Sequence, residues 1–322
     1  VRADGIGDAL ACAPLVAGLR DAGHVLGAVL GTANRDVFAR RTFARVHLLE
    51  RIPWPRHGST PDSYATALAG VRAARYDAAL VASEEPEAYA FAARAGIAAR
   101  VGFTNGWEKP FKTLATRRLL TRALVRAASA ERACEHEVRT LFRLGTGYVR
   151  TAEPTRDVAR LRELVLDDAP ARQRVVALQA SPKLAAAGLD RAAYVALARA
   201  LAAAGRAVRV YGDDAAFVRA VASAAGVAGF APLSVAAWKM HLAAAQAVVT
   251  PDSGAAHVAG MLGVPCVDCF VPSSATAFDI VRWRPWAAPY RAIVLDRARE
   301  RTATAAVLAR AVEELLAPED RA

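Results

Sequence analysis

Residues 250–257 read TPDSGAAH, directly after the apolar run AAAQAVV (243–249). An acid, a hydroxyl, a glycine and a histidine therefore stand within six residues at the end of an expected buried strand. Ser253 is a good N-cap for a helix that begins at Gly254. The unpaired N–H groups of its first turn, with the helix dipole behind them, suit an anion. Gly254 has no side chain to block close approach. His257 lies one turn beyond Ser253 on the same face and could donate to a phosphate. Asp252 could orient that site or accept from a ribose hydroxyl. An ordinary capped helix that happens to carry a histidine fits the same residues.

A second strand-end pattern is RADGIGDALACAP at 2–14. Gly5 and Gly7 permit a tight loop, but no third glycine completes a dinucleotide fingerprint and no GK[ST] completes a phosphate-binding P-loop. Asp4 and Asp8 place two carboxylates there, and a carboxylate at such a point could act as general base toward a hydroxyl. A helix-capping role for Asp8 fits equally well. Four cysteines stand at 12, 134, 266 and 269, with no spacing that suggests a disulfide framework. The pair in VPCVDCFV lies in an expected strand without a second CxxC, so both cysteines read as buried and structural.

These groups need a scaffold to position them. The chain has 322 residues, 54% hydrophobic and 23% charged, which is a globular composition long enough for two cores. Apolar strands such as HVLGAVLG, YDAALVAS (76–83) and ARVGF (99–103) alternate with helical stretches, among them ALACAPLVAGLRDAG and TALAGVRAAR. The alternation resumes after the polar stretch 151–174, through RVVALQAS, AVRVYGDD, AVVTPD and VPCVDCFV. Strands alternating with helices imply parallel βαβ units, and the chain reads as two Rossmann-like halves, 1–155 and 156–322. The terminal stretch TATAAVLARAVEELLAP reads as a helix that could pack back on the first half. No apolar run is long enough to span a bilayer. The net charge of +11 and pI near 10.1 suit nucleic acid, an anionic membrane surface or phosphorylated substrates. No nucleic-acid-binding module is recognisable, so no specific nucleic-acid partner is expected.

Taken in order, RADGIGDAL (2–10), ARVGFTNGW (99–107), the stretch 121–145 with its HEV, and TPDSGAAHVAGMLGVPCV (250–267) resemble the family-9 glycosyltransferases. VPSSATAFDIVRWRPW (271–286) is similar to that family's P-T-x-P…W-x-P segment. The resemblance implies an α/β fold of GT-B architecture, two Rossmann-like domains facing across a cleft, with the acceptor on the N-terminal domain and a nucleotide sugar on the C-terminal one. It implies an inverting transfer, of heptose from ADP-heptose onto a lipopolysaccharide core acceptor, with Asp8 as the catalytic base. The donor residues it implies are Ser181, Lys183, Asp213, Asp252, Ser253, Gly254 and His257. The acceptor residues are Asp4 and the basic loop GWEKPFKTLATRR (106–118) with Lys109, Lys112, Arg117 and Arg118.

No catalytic metal is implied, and no cofactor apart from the ADP-sugar co-substrate. The implied partners are that donor, an anionic lipid-linked saccharide and the membrane surface bearing it, and the implied location is cytoplasmic, peripheral at the inner membrane. One departure stands out: the loop QASPKLAAAGLD (179–190) is short around Lys183 and lacks the family's aromatic residue. A non-catalytic nucleotide-sugar-binding relative, or a transferase with another donor, is the alternative that this departure supports.

Overall fold

The computed structural model describes residues 1–51, 58–129 and 135–317. Cys134 and part of the 121–145 stretch lie outside them. The chain divides into two compact units, Val1–Arg156 with Glu163–Asp167, and Asp157–Arg162 with Asp168–Ala322.

In chain order the first stretch comprises α1 (Ile6–Leu10), α2 (Ala13–Asp21), β1 (Gly27–Gly31), β2 (Arg45–Leu49), α3 (Pro61–Ala74), β3 (Ala78–Leu80), α4 (Pro86–Arg94), β4 (Ala99–Thr104), α5 (Pro110–Arg117), β5 (Arg122–Val125) and α6 (Glu137–Phe142). Helix α7 (Val158–Val165) follows, its residues divided between the two units. The second unit continues with β6 (Val175–Gln179), α8 (Arg191–Ala203), β7 (Ala207–Tyr211), α9 (Ala215–Ala225), β8 (Ala228–Phe230), α10 (Val235–Ala244), β9 (Ala247–Pro251), α11 (Gly254–Met261), β10 (Cys266–Phe270), α12 (Thr276–Trp283), β11 (Tyr290–Val294) and α13 (Arg301–Leu316).

The second unit holds one parallel sheet in the order β11-β10-β9-β6-β7-β8. The chain builds outward from β6 through β7 and β8, then returns to the other side of β6 for β9, β10 and β11. The order therefore reverses between β6 and β9, and such a switch point leaves a crevice at the carboxyl ends of the two strands. β6, β9 and β10 are buried at every position, as strands covered on both faces must be. The helices start on side-chain caps: Asp190, Asp214, Ser234 and Ser253 each accept a backbone N–H from the first turn of α8, α9, α10 and α11. Helix α13 packs within the second unit. Leu308 and Val312 lie in the core that α8 shares, and Arg206, just past α8, pairs with Glu313.

The first unit is built on the same plan. β1 pairs with β2, and β3-β4-β5 form a three-stranded set, all parallel. Residues 1–3 join the two sets. Arg2 N donates to Val29 O (2.9 Å), Val1 N to Leu80 O (2.8 Å), and Ala82 N to Val1 O (3.1 Å). The opening loop thus makes a short extended bridge between β1 and β3, and Asp4 and Asp8 follow it.

The helical stretch ALACAPLVAGLRDAG breaks at Ala11–Cys12 into α1 and α2, and Pro14 stands in an early turn, the first of α2, as its chemistry requires. One further expectation changes. The polar linker 151–174 contains α7, whose Leu161, Leu164 and Val165 recur at helical spacing and are fully buried.

Candidate active site

Arg2, which bridges to β1, organises the opening loop. Its side chain is buried, donates to Ala82 O, lies 3.1 Å from Asp4 Oδ2 through Nε, and donates through Nη2 to Asp8 Oδ1. Burial opposes the Arg2 charge, but Asp8 and Asp4 outweigh it and hold the guanidinium protonated more firmly than usual. Burial also pushes the Cys12 thiol up to about 11.

Asp8 Oδ2 accepts from Gly5 N at 3.3 Å, so Asp8 closes back onto the helix start from the third position of α1 and is not the N-cap residue itself. Its side chain stays one-third exposed, against 18% for Asp4. Asp4 Oδ1 accepts from Ser83 Oγ at 3.4 Å, and its carbonyl accepts from Asn34 Nδ2 at 2.9 Å. Asn34 also fixes the end of β1 by accepting from Gly31 N. A Cβ at Gly31 would meet Ala3 O at 2.7 Å, so that backbone approach requires glycine.

The basic loop occupies a short 3-10 turn and α5. Lys109, Arg117 and Arg118 are exposed, whereas Lys112 is half-buried and pairs with Glu84 at 3.4 Å. Glu84 also binds Arg126 (2.9 Å), whose Nη2 donates to the buried Glu137. His136 caps α6 through Nδ1, accepting from Val138 N at 3.1 Å. The HEV triplet is thus a cap followed by a buried charge pair.

In the second unit the three segments expected to bind the donor follow β6, β7 and β9. Ser181 caps the 3-10 turn after β6 and leaves Lys183 exposed. After β7, Asp213 is exposed and Asp214 caps α9. The two strand exits are close, since a Cβ at Gly212 would meet Ala180 O at 2.4 Å. After β9, Ser253 Oγ accepts from Ala255 N at 3.3 Å and lies 3.0 Å from Thr250 Oγ1. Gly254 is half-buried and opens α11.

His257 is buried, with its ring edge-to-face with Trp283 at 5.6 Å. Helix α11 also packs tightly on the WRPW segment: a Cβ at Gly260 would meet Trp286 N at 2.6 Å, and Ala287 N donates to Gly260 O. The tail 271–286 thereby covers the helix that carries the DSGxxH pattern. Ser181, Lys183 and Asp252–His257 therefore flank the switch point of one sheet, with Asp213 one strand further along.

Asp252 is exposed, yet the protein around it and the neighbouring Asp279 push its carboxyl up to about 6. Asp268, mid-strand in β10, is fully buried, and among the described residues neither of its oxygens has a hydrogen-bond partner. Burial first, then Asp252, raises its pKa well above the usual carboxylate range. Cys266 and Cys269, three apart on one strand, point to opposite faces and cannot share a ligand. Both are buried and reduced, with thiol pKa values raised by burial. No cluster of three or more metal-ligating side chains occurs among the described residues.

The sequence reading missed Arg2, Asp279 and Asp268. Arg2 opens the quoted RADGIGD pattern, and a charged residue there, two and six before two acids, was the available signal. An acid inside the apolar VPCVDCFV was the corresponding signal for Asp268.

No curated protein sequence matches the chain. The fold is shared with solved structures. Escherichia coli heptosyltransferase WaaC with ADP superposes with a TM-score of 0.76 at 18% identity, covering 98% of this chain and 99% of that one. A family 9 glycosyl transferase from Veillonella parvula gives 0.72 at 13%, covering 98% and 95%. The E. coli ADP-heptose LPS heptosyltransferase II gives 0.69 at 17%, covering 97% and 98%. The model of glycosyltransferase family 9 (heptosyltransferase) matches residues 67–307, most of the chain. With that match and the α/β, GT-B fold of the heptosyltransferases, the chain belongs to glycosyltransferase family 9.

Proposed function

We propose that this transferase moves a heptose from ADP-heptose to a hydroxyl of an anionic, lipid-linked saccharide of the lipopolysaccharide core, with inversion and without a metal or other cofactor. The observation that carries the donor half is the capped start of α11 beside the sheet's switch point, where backbone N–H groups after Ser253 meet the exit of β6 with Ser181 and Lys183. These groups would receive the diphosphate, which WaaC binds as ADP in its solved complex. His257 supports that turn from the buried side. Asp252 and Asp213 would accept from sugar and ribose hydroxyls.

In the transfer, the acceptor hydroxyl oxygen attacks the anomeric carbon as its proton passes to Asp8. The bond from that carbon to the diphosphate oxygen breaks, and ADP leaves with the electron pair. Arg2 holds the Asp8 carboxylate in place, Asp4 lies beside the acceptor, and Lys109, Lys112, Arg117 and Arg118 face its anionic groups. A membrane-borne acceptor fits peripheral association at the cytoplasmic face of the inner membrane. Among the described residues no helix is long and apolar enough to cross a membrane.

Ranking ADP, UDP and GDP by thermal protection tests the donor, because stabilisation follows ligand concentration over Kd. ADP should protect most, and stronger protection by UDP or GDP would overturn the donor assignment. Incubation with ADP-heptose and heptose-free core lipid should then yield a product of inverted anomeric configuration. Donor binding without transfer or donor hydrolysis would point instead to a non-catalytic relative.

A further inference from the structure

The basic loop carries a feature that acceptor binding does not use. Trp107, Phe111 and Leu114 are 96%, 88% and 57% exposed. Phe111 and Leu114, three residues apart, share one face of α5, and Trp107 in the preceding 3-10 turn lines the same groove as Leu114. Val125, 65% exposed at the end of the edge strand β5, lines the same open groove as Trp107 and Leu114. The patch is therefore continuous across two elements, unlike singly scattered apolar residues on a surface.

Lys109, Arg117 and Arg118, all exposed, lie along it. The acid in the turn is turned away, because Glu108 accepts from Ala128 N (2.8 Å) and Ser129 N (3.3 Å). An apolar face with two aromatic rings, rimmed by cations, matches the composition of segments that lie in a membrane interface, where rings sit at headgroup level and lysine and arginine meet anionic lipid.

We infer that Trp107, Phe111 and Leu114 insert into the interface of an anionic bilayer, with Lys109, Arg117 and Arg118 on its headgroups, and so dock the enzyme on the membrane. This deepens the membrane association proposed above and rests on that reading for the source of the bilayer. The charge complementarity of the rim selects a lipid surface over an apolar protein partner.

The test is co-sedimentation with vesicles of phosphatidylcholine alone and with vesicles containing about one-third phosphatidylglycerol. Neither carries acceptor saccharide, and thermal protection by ADP is measured in parallel, so failure of docking and failure of the donor reading are separate results. Wild type should bind the anionic vesicles at least about ten-fold better than the neutral ones, since each cation near such a surface contributes about five-fold. Trp107→Ser with Phe111→Ser should lower that binding by about ten-fold or more and leave ADP protection unchanged. Brominated lipid should quench tryptophan emission in wild type, and less so in Trp107→Phe. Three results would each overturn the inference: no binding to anionic vesicles, equal binding by the double variant, or a concentration-dependent dimer that the double variant abolishes without vesicle binding. The last would give the patch to a second copy of the chain.

Discussion

Both units place acids just after extended backbone that lies between parallel strands, yet they handle the charge in opposite ways. In the first, one buried guanidinium spans Asp4 and Asp8 and is itself anchored on Ala82 O. In the second, burial first raises the proton affinity of Asp252 and Asp268, helped at Asp252 by Asp279 and at Asp268 by Asp252, and among the described residues no cation pairs with Asp252 or Asp268. The first arrangement fixes both carboxylates in direction, which a base that meets a hydroxyl would require. The second disfavours the charged form of Asp252 and, more strongly, of Asp268. A neutral acid repels an incoming diphosphate less than a carboxylate does.

The largest effect expected from breaking this contrast is at Asp8. Asp8→Asn keeps the bond from Gly5 N but cannot take a proton, and loss of a general base costs about 10²–10⁴-fold in kcat. The sequence suggests an unperturbed fold for this variant. The structure adds a stability loss of about 1–2 kcal/mol, because buried Arg2 loses one of its two charged partners. Turnover measured well below the melting temperature separates the two. If Asp4→Asn loses activity and Asp8→Asn does not, the base is Asp4.

Asp268 provides the next test. An unpaired buried polar group costs about 1–3 kcal/mol, so Asp268→Val should raise stability by about 2 kcal/mol in urea denaturation at pH 7. The sign with pH follows from its raised folded-state pKa. The protonated acid favours the folded state below the unfolded pKa near 3.8, and this contribution is lost as pH rises through the folded value. The gap between variant and wild type should therefore widen from pH 4 upward. A destabilised variant would mean that Asp268 has a partner.

The parallel sheets were legible because buried strands read as apolar runs, and β6, β7, β9 and β10 stand where RVVALQAS, AVRVYGDD, AVVTPD and VPCVDCFV suggest. The short edge strands β5, β8 and β11 were not. They are half-exposed, their pattern is mixed, and pairing in the sheet fixes them more than local preference does. The same holds for α7, whose four-residue apolar stripe is hidden in a charged stretch. At the site, capping chemistry is local and Ser253 could be read directly. The ties of Arg2 to Ala82 and of Lys112 to Glu84 join residues 80 and 28 positions apart and leave no local trace. Among the described cysteines, burial agrees with the structural reading.

Asp252 sharpens the comparison at the scale of one hydrogen bond. As a carboxylate it would accept from a sugar hydroxyl, and a bond to a charged group exceeds a neutral one by about 1 kcal/mol. Its carboxyl titrates at about 6. Affinity for an ADP-sugar, whose diphosphate is esterified at both ends, should therefore fall by about five- to ten-fold between pH 7.5 and 5. Calorimetry should find Asp252→Asn weaker at pH 7.5 and flat across the same range. A wild-type profile without this slope would place Asp252 away from the sugar.

The smallest effects separate the cations of the first unit. Sequence treats Lys112 and Arg117 alike, but Lys112 already pairs with Glu84, while Arg117 is exposed and among the described residues no acid pairs with it. Exposed pairs contribute about 0–1 kcal/mol, so Lys112→Ala should change stability by less than that. A lysine held by its own acid has less charge to offer an acceptor phosphate. Arg117→Ala removes an uncommitted, bidentate-capable cation, worth about 1 kcal/mol to an anionic ligand, or roughly five-fold in acceptor KM. Lys112→Ala should raise that KM by less than two-fold, about the limit of resolution in such assays. Donor KM should be unchanged in both. A larger acceptor effect from Lys112→Ala would mean that Glu84 releases the lysine when acceptor binds, and Glu84→Gln should then lower acceptor KM by freeing it in advance.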